Sequence, residues 1–175
     1  MNQAEMLELQ RKNCVFCKII NKEIPSHEIY SDDKVSIILD INPANEGHCL
    51  ILPKEHYQIM PQIPKEIISY MFIMAKRTSK LLLKSLAVHG TTIFVANGAV
   101  AGQKAPHFMI HVIPRTKSDM LFDIPKNPAG KGMLEELKIK LRAKLGYKTE
   151  AEETEPEKKE EKKKVDLDKI SEMFT

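Results

Sequence analysis

One long helical pattern between two groups of β-strand patterns constrains the fold of this chain more than any other sequence feature. Pro64 precedes residues 65–86, in which apolar side chains recur at helical spacing. Proline suits the first turn of a helix, so this spacing predicts an amphipathic helix that begins just after Pro64. The apolar positions that recur are Ile67, Ile68, Met71, Met74, Ala75, Leu82 and Leu83, and the small polar Ser79 continues the same spacing.

Short segments on both sides of this helix predict β-strands. Three come before it, at residues 27–30, 35–40 and 48–53, and two come after it, at residues 91–96 and 108–113. Turn-forming residues separate these segments, and the first three are typical of an antiparallel meander. The pattern therefore predicts an antiparallel sheet accompanied by one long helix.

The chain divides by composition into three segments. Its 175 residues and 42% hydrophobic composition suit one ordinary core. We expect an N-terminal helix or arm over residues 1–12 and one globular domain over residues 13–148, which includes a second helix at residues 131–145. Residues 149–175 are rich in Glu and Lys and predict a charged, largely disordered tail.

Hydrophobic residues return at the end of this tail. Leu167, Ile170, Met173 and Phe174 have the spacing of one face of a short helix within residues 165–174. Such a segment beyond a charged tether suggests a docking peptide that recruits a protein partner. A frayed or self-packing terminus explains the same residues, because isolated helices this short are marginal in water.

Charge and hydropathy exclude several classes of protein. The 27 basic and 24 acidic residues are mostly interleaved and give a net charge of +3, so no surface dedicated to nucleic acid is evident. The longest apolar runs are strand-sized and far shorter than the roughly 20 residues that span a bilayer. The N-terminus is polar and lacks a secretory signal pattern. We therefore expect a soluble, cytoplasmic protein without a membrane partner.

The three cysteines indicate metal or redox chemistry rather than disulfides. Their number is odd, and Cys14 and Cys17 stand close together, unlike a spread-out disulfide framework. Two thiolates at this spacing can bind one Zn²⁺, and the imidazoles of His56 and His107 could complete a tetrahedral shell. An unligated pair of buried cysteines is the alternative. Cys49 lies in an apolar run and is expected to be a small buried hydrophobe.

A strand-like segment near the end of the domain places two histidines around a methionine. Side chains alternate across a strand, so His107, Met109 and His111 share one face. The opposite face carries Phe108, Ile110 and Val112. One interpretation is a polar sheet face without a function. Another is a copper site, since thioether and imidazole suit Cu(I), although the rest of the chain points elsewhere.

Several separated motifs together resemble the histidine-triad (HIT) family of nucleotide-binding proteins. They agree with that family in order and spacing over about residues 13–145, and this joint agreement makes the resemblance specific. The motifs are Cys14-x-x-Cys17-Lys18-Ile19-Ile20, Leu39-Asp40-Ile41-Asn42-Pro43, Gly47-His48-x-Leu50-x-x-Pro53-Lys54-x-His56, Asn97-Gly98-x-x-x-Gly102-Gln103 and His107-x-Met109-x-His111-Val112-Ile113-Pro114-Arg115.

The resemblance implies a fold, an assembly and a ligand. The fold is α+β, with an antiparallel sheet of about five strands, one long helix and a C-terminal helix. Two chains form a homodimer that continues the sheet from one chain into the other. The ligand is a purine nucleoside monophosphate group, and the family reaction is hydrolysis or transfer at its α-phosphate, as in nucleoside phosphoramidates or dinucleoside polyphosphates.

The resemblance also implies roles for the residues that bind the nucleotide. Asp40 holds the ribose hydroxyls, and Asn97 and Gln103 donate hydrogen bonds to the α-phosphate or the bridging atom. His111 lies beside them on the phosphate, and His48 supports the triad.

In the zinc-bearing branch of this family, Cys14, Cys17, His56 and His107 correspond to the four metal ligands. The resemblance therefore favours a structural, closed zinc site.

Met109 occupies the position at which the family keeps its catalytic histidine. In the family reaction the middle imidazole attacks phosphorus, and water then hydrolyses a nucleotidyl-histidine intermediate. Methionine cannot replace it, because its sulfur is neutral and only a weak acceptor. We expect nucleotide binding with catalysis lost or weak.

Two other functions stay open at this point. One is an active hydrolase that uses His111 or a water, and the other is an adaptor that uses the tail. Met109 fits both a natural variant and a nucleophile removed by design, and we favour the natural change because designed removal more often uses alanine, glycine or asparagine.

Overall fold

A five-stranded antiparallel sheet organises the first of two units in this computed structural model. The structure describes residues 2–117, 119, 121 and 128–146. Residues up to 121 belong to the first unit, and those from 122 onward belong to the second. The predicted tail and its docking helix lie outside the described residues.

The first unit contains two N-terminal helices, the sheet and one long helix. Its strands lie in the order β1-β2-β3-β5-β4, and every pair of neighbours is antiparallel. The elements are α1 (Gln3–Asn13), α2 (Val15–Ile20), β1 (Glu28–Ser31), β2 (Val35–Leu39), β3 (Cys49–Pro53), α3 (Lys65–Ser85), β4 (Gly90–Phe94) and β5 (Ile110–Arg115), with short 3₁₀-helices at Met60–Gln62 and Ala99–Ala101. The predicted α+β fold, with five strands and one long helix, is confirmed.

The second unit is described over helix α4 (Lys131–Lys144) and the residues next to it. The predicted helix at residues 131–145 is confirmed to within one residue. Its apolar side chains are solvent-exposed. None of the helices that the structure describes has the length and apolar character needed to cross a membrane.

Helices cover both faces of the sheet. The inner face of α3 buries Met71 and Ala75 against the sheet residues Ile51 and Ile110 in one core cluster. On the opposite face, α2 packs on the sheet in a second, smaller cluster, which contains Ile20, Ile38, Leu50 and Leu52. The predicted burial of Cys49 is confirmed, since only 1% of this residue is exposed.

Strand β5 begins two residues later than the sequence pattern predicts. The β3–β5 register pairs Ile51 with Ile110, so its continuation would place Phe108 opposite Pro53. Proline has no amide hydrogen to donate to a ladder. Instead, the Phe108 amide donates to the Tyr57 carbonyl. The segment before Ile110 therefore leaves the sheet, although its side chains keep alternating between the two faces.

Helix α2, which contains Cys17, was not predicted from the sequence. Cys14 is the N-cap of α2 and Cys17 lies inside its first turn. A helix of six residues is not stable alone. It forms here because Ile20 and its neighbours Phe16 and Ile19 pack on the sheet.

Candidate functional site

Two clusters of polar side chains lie on the α2 side of the sheet, and one histidine of each, His107 and His111, flanks Met109 in the sequence. We call the group of Cys14, Cys17, His56 and His107 the thiol–imidazole cluster. We call Asp40, His48 and His111 the carboxylate–imidazole chain.

The thiol–imidazole cluster is closed and fully buried. Its four donor atoms all lie within 4.8 Å of one another. The Cys17 sulfur is 3.2 Å from Nδ1 of His56 and 3.6 Å from Nδ1 of His107, and the Cys14 sulfur is 3.5 Å from the latter nitrogen. The four residues predicted as metal ligands are therefore brought together.

The spacing and chemistry of these donors fit zinc. Bonds of about 2.0 Å to nitrogen and about 2.3 Å to sulfur give a tetrahedron with edges of roughly 3.3 to 3.8 Å. The distances in the cluster match these edges. Nε2 of His107 lies 3.1 Å from the Pro53 carbonyl, so it donates there and leaves the Nδ1 lone pair facing both thiols. Such a second contact fixes the tautomer that a metal ligand needs.

Burial sets the protonation of this cluster. It raises the pKa of the Cys17 thiol to about 12, with a further contribution from the hydrogen bond to Cys14. It lowers the pKa of His107 to about 4, so both groups are neutral near pH 7. A dication bound among them would stabilise the thiolates instead, because metal binding releases ligand protons.

In the carboxylate–imidazole chain, His48 contacts both of the other side chains, and one donor atom from each residue lies within 4.8 Å of the others. Nε2 of His48 lies 3.0 Å from Nδ1 of His111, and Nδ1 of His48 lies 3.4 Å from an Asp40 carboxylate oxygen. The Ala44 amide donates to the same Nδ1 of His48 at 3.2 Å.

These contacts assign the tautomers of the two imidazoles. Because Nδ1 of His48 accepts a hydrogen bond, its proton is on Nε2 and is donated to Nδ1 of His111. The His111 proton is then on Nε2. Burial lowers the pKa of both histidines, and the nearby Asp40 opposes this only partly. His111 is therefore a neutral imidazole whose Nε2 hydrogen remains available for donation.

A cavity of about 400 Å³ opens beside this chain. Phe16, Leu50, Phe94, Ala96 and Met109 form its apolar wall. Its polar wall contains Asp40, Asn42, Gln103, Lys104 and His111. A cavity with an apolar wall and a few convergent polar groups is typical of a small-molecule site.

The loop between β4 and β5 forms one edge of this cavity. Gln103 fastens it: its amide donates to the Gln58 carbonyl at 2.7 Å and to the Ala105 carbonyl at 2.9 Å, and its oxygen accepts from the Gly98 amide at 2.7 Å. Gly98 and Gly102 have φ values of +93° and +88°, which favour glycine. Both predicted donor hydrogens of Gln103 are therefore committed to the loop, and donation to a phosphate requires an exchange of partners.

Asn97 lies at the base of the same loop. Its side-chain oxygen accepts from the Met60 amide at 2.8 Å, which joins the loop to the first 3₁₀-helix. Its role toward a phosphate stays a prediction.

Asn45 anchors the segment that carries Asp40 and His48, and this role was not predicted from the sequence. Asn45 donates to the Pro114 carbonyl at 2.9 Å and to the Asp119 carboxylate at 2.8 Å. Asp119 also binds the Arg115 guanidinium, which holds the pKa of this carboxyl well below its usual range. The Asn45 carbonyl accepts from the amide of His48 at 3.0 Å. Nothing in the local sequence around Asn45 signals these long-range contacts.

Comparison with known proteins agrees with this geometry. The HIT domain model matches residues 21–118, so the chain belongs to the HIT family. It is 39% identical over 112 residues to an adenylylsulfatase of Arabidopsis thaliana, covering 64% of this chain and 57% of that protein. It is 35% identical over 134 residues to an adenosine 5′-monophosphoramidase of Saccharomyces cerevisiae, covering 75% of this chain and 82% of that protein.

Solved structures show the same likeness. The structure of a zinc-bound histidine triad family protein from Mycobacterium smegmatis matches with a TM-score of 0.61 and 31% identity, covering 78% of this chain and 97% of that chain.

Proposed function

We propose that this chain binds a purine nucleoside monophosphate group in the cavity beside His111, and that the covalent reaction at the α-phosphate is lost or weak. The observation that carries this proposal is a cavity lined by Asp40, Gln103 and His111, beside which Met109 stands in the family's nucleophile position. The names of the two relatives, an adenylylsulfatase and an adenosine 5′-monophosphoramidase, support an adenylyl group as the first ligand to test.

The two walls of the cavity suit the parts of such a ligand. The apolar side chains Phe16, Leu50 and Phe94 offer aromatic and aliphatic surface to a base. Asp40 can accept hydrogen bonds from ribose hydroxyls. The Nε2 hydrogen of His111 can be donated to a phosphate oxygen, and such bonds to an anion are stronger than neutral ones.

The family's covalent step needs a nucleophile that Met109 does not supply. A nucleophilic imidazole has a lone pair on one nitrogen while the other nitrogen is fixed by a hydrogen bond. The Met109 thioether is neutral and a weak acceptor. It still fills part of the apolar wall, so binding and chemistry are separable at this position.

Zinc in the thiol–imidazole cluster would act as a structural ion. Cys14 and Cys17 would fasten α2 to His56 and His107, which belong to segments beside the sheet. Phe16 lies between the two cysteines, lines the cavity and has its ring centroid 6.0 Å from that of His107. The ion would therefore also hold this part of the cavity wall in place.

A second candidate function is hydrolysis by an activated water. It is favoured by the Asp40–His48–His111 arrangement, which can exist in a second tautomeric form. If His48 donated from Nδ1 to Asp40, His111 would donate from Nδ1 to His48 and keep a basic lone pair on Nε2. The Ala44 amide opposes this form, because it already donates to Nδ1 of His48.

The surface of the first unit supports a homodimer. Strand β4 lies at an edge of the sheet, and its Ile93 is 45% exposed. Phe72 and Ile73 of α3 are also exposed. Pairing of β4 and α3 with a second copy would cover this apolar surface and continue the sheet. Recruitment of a protein partner by residues 165–174 stays a prediction outside the described residues.

Calorimetry of the zinc-loaded full chain with adenosine 5′-monophosphate tests the proposal. We expect one site per chain and competition by other purine nucleoside monophosphates. Exchange of His111 for alanine should weaken binding, while exchange of the exposed Lys84 for alanine should not. Absence of binding at millimolar nucleotide would contradict the proposed function.

A further inference from the structure

Lys104 is the lysine that lines the cavity. It lies on the loop between β4 and β5, next to Gln103 and close to Gly102. Its side chain is exposed and has no hydrogen bond or ion pair to the residues that the structure describes. The ammonium group is therefore available to a ligand.

The main chain on both sides of Lys104 is fixed. The Gln103 amide donates to the Ala105 carbonyl at 2.9 Å and to the Gln58 carbonyl at 2.7 Å. The loop thus holds the backbone of Lys104 beside the cavity, and its long side chain supplies the remaining freedom. A fixed base with a flexible cation suits a ligand whose anionic group varies in size.

The other residues of the cavity wall leave the phosphate without a second full cation. Met109 is neutral, and burial lowers the pKa of His111, so this imidazole donates as a neutral group near pH 7. Asp40 is an acid on the same wall. The charge of Lys104 therefore has a large influence on how the cavity responds to the charge of a ligand.

We propose that Lys104 makes this site select the charge of the phosphate, so that a nucleoside 5′-monophosphate with a free, doubly charged phosphate binds better than a singly charged ester or amide of the same nucleotide. This inference rests on the proposed function and names its ligand class. A free monophosphate loses its second proton at a pKa of about 6, whereas an ester or amide keeps a single negative charge. A lysine attracts the doubly charged form with about twice the Coulomb energy.

The selection matters because the two ligand classes correspond to the two sides of the family reaction. Esters, anhydrides and amides of the nucleotide are substrates, and the free monophosphate is the product. A cavity that has Lys104 but no nucleophile would still bind the product, the free monophosphate. The chain would thus bind released nucleoside monophosphate rather than turn over its derivatives.

The test compares two ligands and two variants of the zinc-loaded full chain at pH 8. The ligands are adenosine 5′-monophosphate and its methyl ester, which differ by one charge at the phosphate. For the Lys104→Gln variant we expect affinity to fall about tenfold for the monophosphate and about threefold for the ester. The Lys84→Gln variant removes the same charge from α3 and should change neither affinity.

The outcomes separate this inference from the proposed function. Equal losses for both ligands in Lys104→Gln, or no loss, would overturn charge selection while leaving nucleotide binding intact. Equal effects of Lys104→Gln and Lys84→Gln would also overturn it, since net charge alone would then explain the result. Failure of the unmodified chain to bind either ligand would instead remove the proposed function and this inference with it.

Discussion

The thiol–imidazole cluster and the carboxylate–imidazole chain lie close together but are arranged differently. In the cluster, four buried donor atoms converge within 4.8 Å, and Nε2 of His56 is buried without a hydrogen-bond partner in the described structure. In the carboxylate–imidazole chain, the donor atoms of Asp40, His48 and His111 are equally close, but Asp40 and His111 line an open cavity.

The difference shows that the arrangement of similar side chains decides whether they suit an ion or a hydrogen-bonded ligand. Converging lone pairs inside a closed pocket favour an ion, because no other partner can satisfy all of them. In the carboxylate–imidazole chain, the contacts fix the tautomer of each imidazole, and one N–H of His111 stays available beside the cavity. Met109 stands between His107 of the first arrangement and His111 of the second in the sequence.

Restoring the nucleophile should give the largest effect. We expect Met109→His to raise turnover of adenosine phosphoramidate by on the order of 10⁴, because loss of a covalent nucleophile typically costs that factor. Steady-state assays of both proteins, with Met109→Leu as the matched control, measure this. An equal rate in the original and His variants would favour the water mechanism through His111.

Removing one ligand from the thiol–imidazole cluster should lower the stability of the fold and leave the carboxylate–imidazole chain unchanged. Cys17→Ala should lose the metal and roughly 3 to 5 kcal/mol of unfolding free energy, a part of what structural zinc contributes in small peptides. Metal analysis and denaturant unfolding measure both quantities. Cys49→Ala removes an equally buried thiol outside the cluster and should keep about one zinc per chain. Retention of metal by Cys17→Ala would argue against the zinc site.

Weakening the contacts that hold the carboxylate–imidazole chain should leave the metal content unchanged. Asn45→Ala removes the hydrogen bonds to Pro114 and Asp119, which should cost about 1 to 2 kcal/mol of stability. It should also shift the NMR resonances of His48, whose segment Asn45 holds. Asn21→Ala removes only an exposed contact to Glu23 and serves as the control. Unaltered His48 resonances would show that the anchor does not position the chain.

Acid should produce the smallest effect. Burial lowers the pKa of His48 and His111 below the ordinary value of 6.5, so the unfolded chain binds more protons than the folded chain just below pH 6.5. The free energy of unfolding should therefore fall as the pH decreases through this range. His48→Gln should reduce that slope, which denaturant unfolding at several pH values measures. An unchanged slope would assign the acid sensitivity to the thiol–imidazole cluster.

Much of this architecture could be predicted from periodicity and spacing. The helix after Pro64 and the five strands were predicted, and so was the alternation that separates Phe108 from Met109. The thiol–imidazole residues were also predicted as one group. These features depend on local pattern or on several motifs that agree.

The rest depends on contacts between distant residues. Helix α2 is too short to be favoured by its own sequence, and it forms by packing on the sheet. The start of β5 depends on Pro53, which belongs to another strand. The Asn45 anchor and the hydrogen bond from Gln103 to Gln58 also join distant segments. No local pattern reports such partners.

The alternation of side chains around β5 determines which sequence changes this protein can accept during evolution. Phe108, Ile110 and Val112 belong to the core under α3, while Met109 and His111 face the cavity. A substitution at position 109 can therefore abolish or restore a reaction without altering the interior. An insertion of one residue would turn the core side chains toward the cavity and the cavity side chains toward the core, and it would disrupt both. Chemistry in this segment can thus vary by replacement, whereas the length of the segment is held constant by folding.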